Sequence, residues 1–180
     1  LMKKTIIGVI AALLFSALIY QPTLVEVIKL RTFDYFVKTE EPTGAIVLLN
    51  LTEEDIQNEG GWPFPRRRLA EIHVDLLNAG AASVSWVAVF SEPDRFGGDA
   101  NFAEALSYFP SVLAMFETEG FKEMPKTEGT VILGDDIGGI EATGVTQNIE
   151  VLRDVALQGI VSAPVDIDNL VRRMPLLMRS

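Results

Sequence analysis

Apolar residues in this chain fall into runs and faces that predict alternating strands and helices. Residues 45–51 form a nearly continuous apolar run ending in Thr52-Glu53-Glu54-Asp55, which is typical of a buried parallel strand followed by a capped helix. Similar runs cover residues 83–90 and 111–116, and residues 130–133 are a further candidate strand. Strands that alternate with helices predict an α/β domain with a mainly parallel sheet flanked by helices.

The helices between these runs carry start and stop signals. An amphipathic pattern begins at Pro65 and ends at Gly80, which predicts a proline-initiated helix with a left-handed glycine cap. Its predicted apolar face consists of Leu69, Ile72, Leu76 and Ala79. We expect two more helices, over residues 99–108 with Asp99 as N-cap and over residues 146–158, followed by extended segments at residues 159–163 and 171–178.

The amino end predicts a membrane anchor. Lys3 and Lys4 precede an uncharged, mostly apolar stretch from Thr5 to Tyr20, and extending this stretch to Val25 gives a helix that reaches across the roughly 30 Å hydrocarbon core. A cleavable signal peptide is the alternative, but the small-residue cleavage pattern is missing. The positive-inside rule then predicts a cytoplasmic tip (1–4), a transmembrane anchor (5–25), a membrane-proximal helix and linker (26–44) and an external domain (45–180).

The amino-acid composition limits the classes of partner that the predicted external domain can bind. The chain has 48% hydrophobic residues, a net charge of −10 and no cysteine. Residues 41–180 contain 10 Lys and Arg against 22 Asp and Glu, a balance of −12, which argues against nucleic acid or an anionic surface as a partner. The absence of cysteine excludes disulfides and thiolate chemistry.

A rigid aromatic turn precedes the proline-initiated helix. Two X-Pro steps disfavour the α region at Trp62 and Phe64, so that Trp62, Pro63, Phe64, Pro65 and Arg66 are interpreted as a structural motif whose aromatic rings fill the core. Three arginines, residues 66–68, then oppose the dipole at the helix start, which requires compensation. Cation–π contact with Trp62 is favoured, and an acidic loop or a partner subunit is the alternative.

Candidate chemistry is sparse. Glu92, Asp94 and Asp99 follow the carboxyl end of a predicted strand, where open α/β sheets place ligands, so they are the candidate ligand-binding residues for a cation or a small polar molecule. Solvation of the loop is the alternative. His73, the single histidine, is interpreted as a structural or surface residue, and acids 53–55 as helix-capping. We predict no catalytic residue, metal site or cofactor.

Several motifs together resemble a known family. They are the turn Gly61-Trp62-Pro63-Phe64-Pro65-Arg66, the helix end Asn78-Ala79-Gly80-Ala81, the loop Phe90-Ser91-Glu92-Pro93-Asp94, and weaker matches at residues 30–34, 98–100 and 166–176. Over roughly residues 25–180 this pattern resembles the type 2 CHASE domain, an extracytoplasmic sensory domain attached to bacterial nucleotide cyclases and histidine kinases. The resemblance implies an inner-membrane protein with a periplasmic sensor domain.

Three positions depart from the family pattern. Thr52 and Val87 stand where acidic residues are common, and Asn169 stands where a turn glycine is usual, a replacement that the left-handed conformation tolerates. Strands and membrane helices that normally follow are missing after residue 176, so the domain is expected to be incomplete. These departures keep a second hypothesis open, a non-catalytic scaffold of an envelope complex.

The resemblance also sets the expected partners. The chain would contact the bilayer through its amino-terminal helix, associate with itself or with other membrane subunits, and take a small molecule or cation as its stimulus. Any catalytic output domain would lie outside this chain.

Overall fold

A computed structural model describes residues 2–20, 23–38, 40–119, 140–141, 144–175 and 178–179. The chain divides into two compact units. Unit 1 contains Leu1–Leu49 and Pro164–Met174, and unit 2 contains Asn50–Ala163 and Pro175–Ser180. The predicted strand at residues 130–133 lies outside the described residues.

Unit 1 has two helices, α1 (Met2–Tyr20) and α2 (Thr23–Phe36). α2 covers part of the segment 26–44 that was predicted to hold a membrane-proximal helix and linker, and its closeness to a membrane stays a prediction. Within the part of the chain that the structure describes, no helix combines the length and the apolar character needed to cross a bilayer. The transmembrane anchor over residues 5–25 therefore stays a prediction.

Unit 2 contains four helices and six strands among its described residues. The helices are α3 (Glu53–Asn58), α4 (Arg66–Asn78), α5 (Asp99–Leu106) and α6 (Glu150–Arg153). The strands are β1 (Val84–Trp86), β2 (Ser111–Glu117), β3 (Ile140–Glu141), β4 (Val145–Thr146), β5 (Leu157–Ile160) and β6 (Met178–Arg179).

The main sheet is mostly parallel, as predicted. β2 lies at its centre and pairs in parallel with β1 and with β5, while the short β4 pairs antiparallel with the end of β2. β3 and β6 form a separate parallel pair. Helices joined to a parallel sheet confirm the α/β class.

The core of unit 2 fills the space between α4, α5, α6 and the sheet. Its fully buried side chains include Phe64, Phe102, Leu69, Leu106, Leu113 and Leu152. Phe102 meets Phe90 and Trp86 edge-on, at centroid distances of 5.3 and 5.4 Å. This geometry suits aromatic rings, whose positive edges meet the negative faces of their neighbours.

Local capping signals are confirmed. Thr52 and Asp55 form a reciprocal capping box at the start of α3. At the end of α4, Gly80 has a φ of +96° and donates to the Leu77 carbonyl, while Ala81 donates to the Leu76 carbonyl. These two bonds form a Schellman motif, which glycine allows because it has no Cβ.

The first predicted strand is wrong. Residues 45–51 run outside any strand, and Ile46 is 92% exposed. An apolar run predicts burial, but it contains no information about which strand will supply the backbone partners. The strand predicted at residues 83–90 is likewise shortened to Val84–Trp86.

Three predicted helices also differ from the structure. In place of a helix over 146–158, the chain forms β4, the short α6 and β5, because Asn148 bonds to the Phe90 amide and the Ala114 carbonyl and holds its own segment against the sheet. α5 begins after Gly98, which is its N-cap in place of Asp99. The buried face of α4 consists of Arg66, Leu69, Ala70 and His73, which is rotated from the predicted face.

Candidate functional site

The predicted ligand loop is built around the carboxylate of Asp94. Its Oδ2 accepts hydrogen bonds from the amides of Arg66 (2.9 Å) and Gly98 (3.0 Å), and its Oδ1 accepts one from Phe96 (3.0 Å). Arg66 is the first residue of α4 and Gly98 is the N-cap of α5. One carboxylate therefore satisfies free amides at the starts of two helices, where helix dipoles also favour negative charge.

The ionisation of Asp94 reflects these contacts. Burial raises the pKa of its carboxyl group, but the three backbone donors and the nearby charge of Arg66 outweigh that effect, so the net pKa is lowered. Asp94 is charged at neutral pH for a structural reason, since its lone pairs already accept backbone protons.

Arg66 completes this cluster. Its guanidinium carbon lies 4.2 Å from the centre of the Phe90 ring, and its Nε lies 3.6 Å from Asp99 Oδ1. Burial lowers the pKa of Arg66, and the charges of Asp99 and Asp94 oppose that shift. The predicted cation–π partner, Trp62, is therefore wrong, whereas the alternative of an acidic loop is confirmed for Arg66.

Gly98 allows the two helix starts to approach each other. A Cβ at this position would lie 2.5 Å from the Arg67 amide nitrogen and 2.9 Å from Asp94 Oδ2. Such contacts would push the backbone of α4 away from the carboxylate. The close approach needs a glycine even though its φ is negative.

Two of the three candidate ligand residues are thus engaged within the protein. Asp99 Oδ2 accepts from the Asp94 amide at 2.8 Å, and Asp94 serves the two helices. Glu92 is exposed. Among the described residues, no group of three or more histidine, aspartate or glutamate side chains is arranged to hold a metal ion. A ligand role for Glu92, Asp94 and Asp99 stays a prediction.

One ring of the aromatic turn is buried in the core, and the other is half-exposed. Phe64 is 2% exposed and belongs to the core, whereas Trp62 is 51% exposed and packs edge-on against Phe64 at 5.3 Å. The Trp62–Pro63 peptide bond is cis. The prediction that both rings fill the core is correct for Phe64 and wrong for Trp62.

Arg68 is compensated by carboxylates. It donates to both oxygens of Glu59, at 3.0 and 2.7 Å, and to Glu71 at 2.9 Å. The hydrogen bonds that Arg68 donates to Glu59 and then to Glu71 raise its pKa. The unfavourable interaction of this arginine with the dipole of α4 is thereby offset by its ion pairs.

A second charged cluster, which we call the Arg172 clamp, lies in unit 1. It consists of Arg172, Asp34, Asp166 and Asp168. The guanidinium holds Asp34 through Nε and Nη2 (2.7 and 2.8 Å) and Asp168 through Nη1 and Nη2 (2.8 and 2.7 Å), and Nη1 also donates to Asp166 at 3.1 Å. All five N–H groups are used, in two bidentate pairs and one single bond.

The hydrogen bonds of the Arg172 clamp shift the pKa values of its members. The Arg172 side chain is 5% exposed. Hydrogen bonds from Arg172 lower the pKa of Asp34, and they lower the pKa of Asp168 to about 2, while the carboxylates raise that of Arg172. Arg172, Asp34 and Asp168 are therefore charged at neutral pH.

A tight turn positions two of the carboxylates. Asn169 has a φ of +62°, its amide donates to the Asp166 carbonyl at 2.9 Å, and the Asp166 amide donates to Leu170. The predicted left-handed conformation of Asn169 is confirmed. This turn brings Asp166 and Asp168 to the same guanidinium.

The sequence motifs include both segments that form the Arg172 clamp, but they do not predict that the two segments pair. Residues 30–34 and 166–176 were each noted as weak motif matches, and the structure joins Asp34 to Arg172 across 138 positions. The available signals were an aspartate on a largely apolar helix and an arginine close to two aspartates in sequence. Nothing in the sequence specified the pairing.

The comparisons with known proteins follow the motifs. The family model of the CHASE2 domain matches residues 8–180, a range that includes the aromatic turn, the Asp94 loop and the Arg172 clamp. No curated protein and no solved structure matches the chain. The resemblance that the sequence motifs indicated is confirmed.

Proposed function

The chain belongs to the CHASE2 domain family, a family of extracytoplasmic sensory domains, and we propose that it is the sensor of a bacterial signal-transduction protein. In this proposal the amino-terminal helix anchors the chain in the inner membrane, and the residues after about 25 lie in the periplasm. A stimulus received there is passed to a cytoplasmic cyclase or histidine kinase.

The Arg172 clamp is the observation that carries this proposal. It joins α2, the helix that follows the proposed anchor, to the segment Pro164–Met174. Asp34 lies in the last turn of α2, so a force on Arg172 acts directly on the end of that helix. A bidentate pair fixes the relative orientation of the two side chains as well as the distance between them.

The clamp gives a physical route for a signal. A stimulus that moves residues 164–174 has two outcomes: either α2 moves with them, or the bonds to Asp34 break and leave two charges without partners. Because breaking them is costly, displacement of the segment favours movement of α2. A ligand can drive this change only by as much as its affinity differs between the two arrangements.

We propose that the chain itself is not an enzyme. The supporting observation is that the described carboxylates with the clearest partners serve as helix caps or in the clamp. Catalysis by paired carboxylates requires groups that are free to exchange protons with a substrate. Any catalytic activity would then belong to the output domain.

The alternative is a scaffold of an envelope complex. It is favoured by the two positions at which the family commonly has acids. Thr52 serves here as the N-cap of α3, and Val87 is an exposed apolar residue. Neither can ionise, so a site built on that acidic pair is absent from this chain.

One experiment separates the two functions. The membrane-embedded chain is screened against cations and metabolites for a rise in melting temperature, since a ligand of the folded state must stabilise it. Any hit is then tested for slower amide exchange in α2, in the wild type and in Arg172→Gln. A sensor predicts slower exchange in the wild type and no effect on α2 in Arg172→Gln.

Arg173→Gln is the matched control. Arg173 is the neighbouring arginine, is largely exposed, and makes one long contact of 3.7 Å with Asp166. It should keep the wild-type response. A response of α2 that survives in Arg172→Gln would remove the clamp from the route. No hit with any compound, together with stable self-association, would favour the scaffold.

A further inference from the structure

His73 is the single histidine of the chain, and it is completely buried in unit 2. It lies on α4, with the rings of Phe109, Trp86 and Phe102 at centroid distances of 5.0, 6.2 and 6.4 Å. Its position joins α4 to β1, to α5 and to the start of β2. Neither the sensory role nor the Arg172 clamp uses this residue.

The hydrogen bonds of His73 define its protonation state. The Nε1–H of Trp86 donates to His73 Nδ1 at 3.1 Å, and an indole nitrogen is a donor only. Nδ1 must therefore carry a lone pair, and the proton of the neutral ring lies on Nε2, which donates to Ser111 Oγ at 3.2 Å. The Ser111 hydroxyl in turn donates to the Phe109 carbonyl at 3.0 Å or the Leu106 carbonyl at 3.2 Å.

Protonation is incompatible with this arrangement. A proton on Nδ1 would face the N–H of Trp86, so that two donors would meet and the bond between α4 and β1 would be lost. β1 faces the ring with Trp86, α5 with Phe102, and the start of β2 with Phe109 and Ser111, and none of these carries a charge. Among the described residues no carboxylate contacts the ring, and burial lowers the pKa of His73.

We propose that His73 is an acid-sensitive joint of unit 2, which holds α4 against β1 and β2 while neutral and releases them when external acid protonates it. Protons are then a stimulus to which this domain responds directly. The inference rests on unit 2 alone, so it stands or falls independently of the proposed coupling through Arg172.

The direction of the pH effect follows from linkage. The ordinary pKa of histidine is 6.5 and the folded value is lower, so between these two values the unfolded or opened state binds up to one more proton than the folded state. Stability is therefore fully present above about pH 6.5 and is lost as the pH falls toward the folded pKa. In that window the opening constant rises by up to about tenfold per pH unit.

The carboxylates cannot imitate this response. The ordinary pKa values of Asp and Glu are 3.8 and 4.5, and those of Asp34, Asp94 and Asp168 are lowered further. The contributions of these three aspartates therefore change below about pH 4. Between pH 7.5 and pH 5.5, the one side chain of the chain with an ordinary pKa in range is His73.

The test compares the full-length wild type with His73→Gln. The urea unfolding constant is measured by circular dichroism at pH 7.5, 6.5 and 5.5, and the ring of the single histidine is followed by NMR. Glutamine can accept from Trp86 and donate to Ser111, but it cannot acquire charge. We expect the wild-type constant to rise up to about tenfold per pH unit below pH 6.5, and that of the variant to stay constant.

A second variant covers a failure of His73→Gln to fold. Trp86→Phe removes the donor that faces Nδ1 and leaves the histidine in place. It should be less stable than the wild type at pH 7.5 and should lose less stability on acidification. The proposal is overturned by a wild-type unfolding constant that does not change from pH 7.5 to 5.5, by a histidine that titrates near 6.5 in the folded protein, or by equal acid responses in the wild type and the folded variants.

Discussion

Unit 2 is organised around buried apolar side chains, whereas the described contacts of unit 1 centre on the guanidinium of Arg172. The core of unit 2 includes Phe64, Leu69, Phe102 and Leu113, while Leu30 is the one buried apolar side chain among the described residues of unit 1. Apolar burial does not depend on ionic strength in the way that partly exposed ion pairs do. The comparison indicates that unit 2 resists local opening, whereas the Arg172 clamp of unit 1 opens more readily.

The largest expected effect tests the apolar side of this comparison. Phe64→Ala should lower the free energy of unfolding by about 3 to 5 kcal/mol, because it removes a large buried ring. Trp62→Ala is the matched control and should cost about 1 to 2 kcal/mol, because half of that ring is already in water. Urea unfolding measures both, and equal losses would mean that Trp62 is buried.

The next effect concerns the charged cluster around Asp94 in unit 2. Asp94→Ala should lower the free energy of unfolding by about 2 kcal/mol, since two helix starts each lose a cap with a typical value of about 1 kcal/mol. Glu92→Ala, in the same loop but exposed, should stay within about 0.5 kcal/mol. A larger loss in Glu92→Ala would show that the loop is held differently.

Acid should remove the same contribution. The pKa of Asp94 is lowered from its ordinary 3.8, so its stabilisation is present above that value and is lost as the pH falls through the lower folded pKa. The difference in stability between wild type and Asp94→Ala should therefore shrink below about pH 4. A difference that persists into strong acid would identify packing as the cause.

A smaller effect is expected in the turn of unit 1. Asn169→Ala should destabilise the turn by about 1 kcal/mol, because asparagine tolerates the left-handed region better than alanine does. Asn169→Gly should be nearly neutral. Amide exchange at Leu170 measures the opening of this turn, and exchange in α4 should remain unchanged in both variants.

The smallest effect is the response to salt. Raising the ionic strength should accelerate amide exchange at the end of α2, because the Arg172 clamp includes partly exposed carboxylates that salt screens. Exchange in α4 should change little. If α2 and α4 responded equally, the distinction between the two units would fail.

The sequence predicted those elements whose signals are local. The end of α4 at Gly80, the capping box of α3 and the positive φ of Asn169 each depend on a few neighbouring residues, and each is confirmed. The predicted start of α4 is shifted by one residue, because Pro65 is the N-cap and the helix begins at Arg66. The apolar run of β2 was also recognised correctly. Backbone sterics and short-range hydrogen bonds determine such features wherever they occur.

The failures required knowledge of distant partners. The pairing of Asp34 with Arg172 and the bonds from Asn148 to residues 90 and 114 join parts of the chain that composition cannot match. The sequence predicted a ligand role for Asp94. Its hydrogen bonds from the amides at the starts of α4 and α5 depend on how closely these two helices approach each other. The family resemblance identified motif segments that contain Asp34, Asp94 and Arg172, but it did not predict their contacts.

The exposed segment at residues 45–51 has a consequence for handling the protein in solution. It is mostly apolar, uncharged and free of proline, and its side chains at Ile46, Val47 and Leu48 are largely exposed. Short segments of this type stack into intermolecular β-structure when nothing covers them. Concentrated preparations should therefore aggregate through this segment, and a single Leu48→Lys substitution, which places a gatekeeper charge within it, should keep the chain dispersed.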